Sequence, residues 1–182
     1  MQTISISEQI KLVLIKESDA EQIFKMVENQ RIYLGRWLPF VQYTKSVEDT
    51  LSFISSVLST PEEIREMIFC IYFDDIFVGL ISLKFNANDN SNRKTEIGYW
   101  ISEFFQGKGI VTNCTKSLVD LAFDKLNYNR VQIRCAVGNQ KSNNIPKRLG
   151  FTFEGIERDG ELRADNVFTD LEVYSMLKKE WI

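Results

Sequence analysis

The pattern of hydrophobic and polar residues predicts strands and helices that follow one another along the whole chain. Short apolar or alternating runs predict strands, and longer runs with helical spacing predict helices. The predicted strands are Lys11–Ile15, Met67–Phe73, Ile76–Phe85, Glu96–Ile101, Arg130–Val137, Phe151–Arg158 and Phe168–Leu177. The predicted helices are Ala20–Leu34, Ser46–Leu58, a long helix with apolar positions Val111, Cys114, Leu118, Leu121 and Ala122, and Lys141–Leu149. This order indicates a mixed sheet of the α/β class.

Polar segments separate these elements and predict the turns. Asp74-Asp75 predicts a hairpin turn, Asn86–Lys94 predicts a surface loop, and Asp159-Gly160 predicts a loop between the last two strands. The sequence contains no repeat and no linker-like segment, and its 182 residues suit one domain with a substantial core. We therefore expect residues 1–182 to form a single domain.

Composition narrows the chemistry that this domain can perform. The net charge of −3 gives no general attraction to nucleic acids or anionic membranes. The chain has no histidine, which excludes mechanisms with a histidine base and disfavours a zinc site. Cys70, Cys114 and Cys135 lie in apolar contexts and form no disulfide framework, and no signal peptide or membrane span is recognisable. We expect a cytoplasmic protein without a bound metal.

The segment Gln106–Thr112 is the strongest candidate for a binding site. It follows the apolar strand Glu96–Ile101 and opens the long helix, whose first N–H groups lack intrahelical partners at the positive end of the helix dipole. Gly107 and Gly109 let a phosphate approach the backbone, and Lys108 adds positive charge. The spacing fits neither a Walker A loop nor the Rossmann fingerprint. The segment therefore predicts a phosphate cradle of another kind.

Three motifs in order resemble one enzyme superfamily. The segment Gln106–Thr112 resembles the pyrophosphate loop of the GNAT acyltransferases, Q/R-x-x-G-x-G/A, although Val111 stands where Gly or Ala is usual. The pattern N-x-x-S-x-x-x-P-x-R-x-G-F, which begins at Asn139, and E-I-G-Y-W-I, which begins at Glu96, resemble the RimJ/RimL-like branch of the superfamily. The resemblance covers the chain from its first strand to Trp181.

This resemblance implies a fold and a cosubstrate, acetyl-coenzyme A. The fold is a single GNAT-like domain, with a mixed, mostly antiparallel sheet flanked by helices and splayed between its fourth and fifth strands. The pantetheine arm would enter this splay and bind Asn139 and the backbone of Trp100 and Ile101. Lys141 and Arg148 could contact the 3′-phosphate or adenine, or could equally be solvated charges. The pyrophosphate would bind Gln106, Gly107, Lys108, Gly109, Ile110, Val111 and Thr112.

The resemblance also implies direct transfer of acetyl from the thioester to an amine. Ser142 would lie near the sulfur and donate to the departing thiolate, although Asn139 and Ser142 also fit a turn and a helix N-cap. The base is open among Glu96, Glu161 and Asp170, and it could act through water. Tyr99 and Tyr174 could donate hydrogen bonds, although core packing explains both as well. Tyr33, Trp37 and Phe40 could line the acceptor side, although a core or dimer contact is the more usual role of an aromatic cluster.

The function implied is that of an acetyl-coenzyme A-dependent N-acetyltransferase. The RimJ/RimL-like branch implies a protein N-terminal amine as acceptor, as on a ribosomal protein. An α-amine has a reference pKa near ~8 against ~10.4 for lysine, so it is more often neutral and ready to attack. The alternatives are a small-molecule amine, such as a polyamine or an antibiotic, and a noncatalytic acyl-coenzyme A-binding module. We expect no nucleic-acid or membrane partner, and a homodimer or higher homo-oligomer is open.

Overall fold

A computed structural model describes residues 3–84 and 92–181. The strands are β1 (Thr3–Ser5), β2 (Ile10–Leu14), β3 (Met67–Phe73), β4 (Ile76–Lys84), β5 (Lys94–Ile101), β6 (Arg130–Ala136), β7 (Thr152–Leu162) and β8 (Phe168–Leu177). The helices are α1 (Ala20–Asn29), α2 (Arg31–Gly35), α3 (Val47–Ser59), α4 (Ile110–Asp120) and α5 (Gln140–Arg148). The predicted loop Asn86–Lys94 lies mostly outside the described residues, and Lys94 is the first residue of β5.

All eight strands belong to one sheet in the order β1-β2-β3-β4-β5-β6-β8-β7. The β5–β6 pair is parallel, and the other neighbouring pairs are antiparallel. The predicted mixed, mostly antiparallel sheet is therefore confirmed. Because the short strand β1 was not predicted, the expected fourth and fifth strands correspond to β5 and β6.

The strands β5 and β6 separate after a short paired segment. Pairing joins Lys94–Glu96 to Arg130–Gln132, and the last pair is Glu96 with Gln132. Beyond it, β5 continues to Ile101 along β4, and β6 continues to Ala136 along β8. We call the point of separation at Glu96 and Gln132 the fork. It confirms the predicted splay.

Helices cover both faces of the central strands, which explains why β3 and β4 are almost continuously apolar. Alternate residues of β3 point to opposite sides of the sheet. Phe69 and Ile71 join a large core with Cys114 and Leu118 of α4. Ile68 and Cys70, which alternate with them along β3, pack on the other side. There they form a second core with Ile23 of α1 and Ile54 of α3. The described ranges contain no helix long and apolar enough to cross a membrane.

The predicted helix Ala20–Leu34 is wrong, because the structure divides it into α1 and α2 at Gln30. This residue has φ −128° and ψ 27°, outside the helical region. Its buried side-chain amide donates to Ser102 Oγ at 2.8 Å, and its Oε1 accepts from the backbone N–H of Glu103 at 2.8 Å. A polar side chain thereby holds α2 beside the segment that follows β5.

The predicted loop at Asp159-Gly160 is also wrong. Strand β7 continues to Leu162, and its pairing with β8 shifts register between Glu157 and Glu161. Asp159 has φ 51° within this irregularity, so the turn-like sequence marks a bulge instead of the end of a strand. The connection to β8 lies at residues 163–167, where the N–H of Arg163 donates to the carbonyl of Val167. The bulge carries Glu161 into the sheet.

Candidate active site

The segment Gln106–Thr112, called the phosphate loop below, is shaped by its glycines. Gly107 and Gly109 have φ of 73° and 74°, a left-handed conformation that residues with a side chain rarely adopt. Gly109 is the N-cap of α4 and provides no side-chain cap for the first N–H groups of the helix. Ile110 and Val111 bury their side chains, so only their backbone can face a ligand. The loop therefore presents amide groups at the positive end of a helix.

The space beside these glycines is open. A Cβ added to Gly107 would have no heavy atom within 4 Å, and one added to Gly109 would meet only Asn113 Nδ2 at 3.9 Å. An anion can therefore approach the backbone closely. The loop fits the predicted pyrophosphate cradle in both conformation and access.

Two cations from α5 flank the phosphate loop. Lys141 Nζ donates to Gln106 Oε1 at 2.5 Å, and Arg148 Nη1 donates to Thr112 Oγ1 at 2.9 Å. The other end of the Gln106 amide donates to the hydroxyl of Tyr33. These contacts place both cations beside the loop, where they can attract phosphate groups.

Lys108, in contrast, stacks on aromatic rings. Its Nζ lies 5.3 Å from the ring centre of Phe73 and 5.0 Å from that of Phe105. The cation–π contacts stabilise this position. The positive charge predicted for the loop therefore comes from Lys141 and Arg148 as well as Lys108.

The end of β5 has a free side towards β6. Among the described residues, no strand pairs with Ile97–Ile101 on that side, so backbone groups there can bind an extended arm. The ring of Trp100 packs edge-on against Phe77, with 6.1 Å between ring centres. The backbone of Trp100 is its candidate contact with a ligand in the opening.

Gly79 on β4 supports this end of β5, and the sequence analysis missed it. A Cβ added to Gly79 would overlap the carbonyl oxygen of Trp100 and lie 2.8 Å from the Cα of Ile101. A side chain at this position would therefore push β5 away from β4. The sequence signal that could have found it is a glycine within an apolar strand, which marks close backbone approach.

Ser142 lies across the fork from Tyr99. The Ser142 hydroxyl donates to the Tyr99 hydroxyl at 3.3 Å and lies 3.1 Å from Cys135 Sγ. The Tyr99 hydroxyl donates in turn to the Ser142 carbonyl at 3.1 Å. Burial raises the pKa of Tyr99 well above its ordinary value and also raises that of the Cys135 thiol, so both groups remain protonated. The cluster thus consists of neutral hydrogen-bonding groups.

The helix N-cap is Asn139, so the alternative interpretation of Ser142 as the cap is wrong. Asn139 Oδ1 accepts from the backbone N–H of Ser142 at 3.3 Å. The Ser142 side chain is therefore not needed to begin α5. Tyr174 is also separate from this cluster, because its hydroxyl donates to Glu172.

A cavity of about 160 Å³ opens at the fork and is called the fork cleft below. It brings together the predicted site residues Glu96, Asn139, Ser142 and Glu161, which are distant in sequence. Asp170 and Phe40 do not line it. Its walls also include Trp37, Leu38, Tyr99, Arg134 and Leu171.

Glu96 is held by three neighbours on two adjacent strands, β4 and β6. Its carboxylate accepts from Lys84 Nζ at 2.8 Å, from Arg134 Nε at 2.7 Å and from Gln132 Nε2 at 3.2 Å. Burial opposes ionisation, but attraction to Lys84 and hydrogen bonds from Lys84 and Arg134 outweigh it and lower the pKa of Glu96. This arrangement favours a structural ion pair over proton uptake.

Glu161 has a different environment in the same cleft. The described residues provide no hydrogen bond to its carboxylate. Burial raises the pKa of Glu161, although the positive charges of Lys84 and Arg134 act against this effect. Asp170 instead accepts from the backbone N–H of Asp159 at 2.9 Å. Of the three candidate carboxylates, Glu161 is the one that lines the fork cleft without a hydrogen bond from the described residues.

Comparisons with known proteins agree with this geometry. Residues 9–152 match the family model described as "Acetyltransferase (GNAT) domain". The Bacillus subtilis protein named "Putative ribosomal N-acetyltransferase YdaF" is 37% identical over 100% of this chain and 98% of its own length. The ribosomal-protein-serine acetyltransferase of Escherichia coli is 28% identical over 97% of both.

Solved structures give the same result. The microcin C7 self-immunity acetyltransferase MccE, in complex with acetyl-CoA and AMP, has a TM-score of 0.89 and 28% identity over 97% of this chain and 96% of its own. RimL, a ribosomal L7/L12 alpha-N-protein acetyltransferase in complex with coenzyme A, has a TM-score of 0.89. It is 25% identical over 96% of this chain and 97% of its own. The similarity extends over nearly the whole chain.

Proposed function

Because the chain belongs to the GNAT acetyltransferase family, we propose that it transfers acetyl from acetyl-coenzyme A to the N-terminal amine of a protein. The observation that carries this proposal is the meeting of Ser142 and Glu161 in the fork cleft, between strands that separate. One group can serve the leaving thiolate, and the other can receive the proton of the amine. The cleft thus has the chemical groups that direct acetyl transfer requires.

The binding of acetyl-coenzyme A follows from the path between the phosphate loop and the fork. The amides of the phosphate loop bind the pyrophosphate, and Lys141 and Arg148 add positive charge beside it. The pantetheine arm pairs with the free side of β5 near Trp100 and Ile101 and contacts Asn139. This path brings the thioester towards Ser142.

Two residues carry the chemistry. Glu161 takes the proton from the amine, directly or through water, so that the nitrogen lone pair can attack the thioester carbonyl carbon. A new C–N bond forms, the nitrogen passes its remaining extra proton to the departing sulfur or to water, and the C–S bond breaks. Ser142 donates a hydrogen bond to the departing thiolate, for which its O–H turns away from Tyr99, while Cys135 Sγ stays beside the hydroxyl. No covalent enzyme intermediate is needed.

The choice of a protein N-terminus rests on chemistry and on the relatives. An α-amine loses its proton near pH ~8, about two units below a lysine side chain, so a single carboxylate base suffices more readily. Two relatives with nearly full coverage, the Escherichia coli enzyme and RimL, bear names that specify ribosomal proteins. We propose the same acceptor class for this protein.

Peptides with a free N-terminus and an internal lysine test this proposal. The purified protein is incubated with acetyl-coenzyme A and each peptide, and the acetylated position is mapped by fragmentation mass spectrometry. We expect acetyl on the α-amine, and a peptide blocked at its N-terminus serves as the control. Acetyl mainly on the lysine would contradict the acceptor assignment.

Two other outcomes would favour the alternative functions. Transfer only to polyamines or aminoglycosides would favour a small-molecule acetyltransferase. Binding of acetyl-coenzyme A without transfer to any amine would favour a noncatalytic module.

A further inference from the structure

Glu96 lies at the point where β5 and β6 separate. It belongs to the last pair of the two strands, opposite Gln132. Its side chain spans this junction, because it accepts from Gln132 and Arg134 on β6 and from Lys84 on β4. Only 16% of the side chain is exposed, so water weakens these contacts little. One carboxylate therefore ties together three strands where the backbone pairing ends.

Arg134 extends this connection to the far wall of the fork cleft. Its Nε donates to Glu96, and its Nη1 donates to Glu157 on β7 at 3.0 Å. The guanidinium is planar and rigid, so its two contacts set the positions of both carboxylates. Glu161 is on the same strand as Glu157, on the other side of the bulge. The contacts of Arg134 thus link the fork to the strand that carries the proposed base.

We propose that Glu96 and Arg134 form a pin at the fork, which holds β5 and β6 at the separation that the thioester and Glu161 require. Glu96 is then a positioning residue and not the base. This inference rests on the proposed function for its kinetic consequence, but the pin itself is a property of the free protein. The Glu96 carboxylate contacts Lys84 and Arg134 and thereby joins the strands that carry them.

The groups around Glu161 give the pin a second effect. Lys84 on β4 and Arg134 on β6 attract the Glu161 carboxylate, and Glu96 on β5 repels it. Glu157 lies on the same strand, and Trp37, Leu38 and Leu171 add no charge. Removal of the Glu96 charge frees both cations to act on Glu161. The pKa of Glu161 should then fall, whereas removal of Arg134 should raise it.

Amide hydrogen exchange in the free protein tests the pin without any ligand. We expect Glu96→Gln to speed exchange about tenfold at the paired segments Lys94–Glu96 and Arg130–Gln132. The matched control is Glu154→Gln, because Glu154 pairs with Arg130 of β6 at the other end of the same paired segment and makes no contact with Glu96. If Glu96→Gln folds poorly, Arg134→Lys gives the same comparison. Lysine keeps the positive charge but lacks the planar guanidinium that contacts two carboxylates at once. Equal exchange in variant and control would overturn the pin.

The pH dependence of kcat separates positioning from proton transfer. In Glu96→Gln the acid limb should remain and move to lower pH, with kcat reduced about tenfold. In Arg134→Lys the limb should keep nearly its original midpoint, and in Arg134→Gln it should move to higher pH. Disappearance of the acid limb in Glu96→Gln would make Glu96 the base and overturn the proposal. If the wild-type protein acetylates no amine, the proposed function fails, and the exchange experiment still decides whether the pin exists.

Discussion

The phosphate loop and the fork cleft are built in opposite ways. The phosphate loop is one continuous segment that offers backbone amides, and its shape depends on the positive φ of Gly107 and Gly109. The fork cleft consists of side chains from distant segments, including Trp37, Glu96 and Glu161. The first site depends on local conformation, and the second depends on the register of the whole sheet.

This difference separates two tasks of the proposed reaction. Backbone amides bind any phosphate group of the right shape, so the phosphate loop suits a cosubstrate common to many enzymes. Side chains differ in charge, volume and pKa, so the fork cleft suits the choice of acceptor and the proton transfer. Variants of Ser142 and Glu161 in the cleft should therefore change turnover with little effect on cosubstrate affinity, and variants of the phosphate loop should do the reverse.

The largest effect is expected at Glu161. The change Glu161→Gln should lower kcat about a thousandfold, because it removes the proposed base. The acid limb of the pH profile should vanish, and the affinity for acetyl-coenzyme A should stay the same. Steady-state kinetics and calorimetric titration measure the two effects. Asp170→Asn is the control and should retain turnover; a larger loss in this control would assign the base to Asp170.

A large effect on affinity is expected at Gly109. The change Gly109→Asp should weaken acetyl-coenzyme A binding about a hundredfold, because a negative charge would face the pyrophosphate. Gly109→Asn has a side chain of the same size that tolerates the left-handed conformation in the same way but carries no charge, so it isolates the electrostatic part. Calorimetric titration of both variants gives the comparison. Unchanged affinity in folded Gly109→Asp would remove the phosphate loop from the binding site.

Ser142 should affect turnover and little else. The change Ser142→Ala should lower kcat by about tenfold to a hundredfold, as expected for one positioned donor. The helix cap uses the Ser142 backbone N–H and the Asn139 side chain, so α5 and the melting temperature should be retained. Steady-state kinetics measure the change in kcat, and thermal melts measure the melting temperature. Wild-type turnover would show that the hydroxyl does not act on the thiolate.

The smallest functional effect is expected at Gly79, which lies behind the opening. The change Gly79→Ala should lower the free energy of unfolding by about 2 kcal/mol, because the methyl group meets the backbone of β5. Acetyl-coenzyme A affinity should fall only a few-fold. Gly98→Ala on β5 is the matched control, since its added methyl would meet the flexible end of Lys84 at 3.3 Å. Denaturant titrations compare the two; equal stability would contradict the tight strand contact.

Much of the local structure around the phosphate loop could be predicted from the sequence. The phosphate loop, the helix after it and the Asn139 turn were all recognised, because each depends on residues close together in the chain. Predicted elements were wrong where a contact with a residue distant in sequence changes the local backbone conformation. The helix break at Gln30 needs Ser102 and Glu103, and the bulge in β7 needs its partner strand β8. Neither contact leaves a signal in the sequence around the residue itself.

Apart from β1 and the helix break at Gln30, the sequence by itself determined the order of elements, and it also determined the glycine-dependent loop and the candidate carboxylates. These follow from short-range preferences of the backbone and from hydrophobic periodicity, which are properties of neighbouring residues. Only the tertiary structure decided which carboxylate is free. Glu96 and Glu161 have the same chemistry, but sheet register places Glu96 between Lys84 and Arg134 and leaves Glu161 without a hydrogen bond among the described residues. Burial and nearby charge set a pKa, and both arise only when distant segments meet.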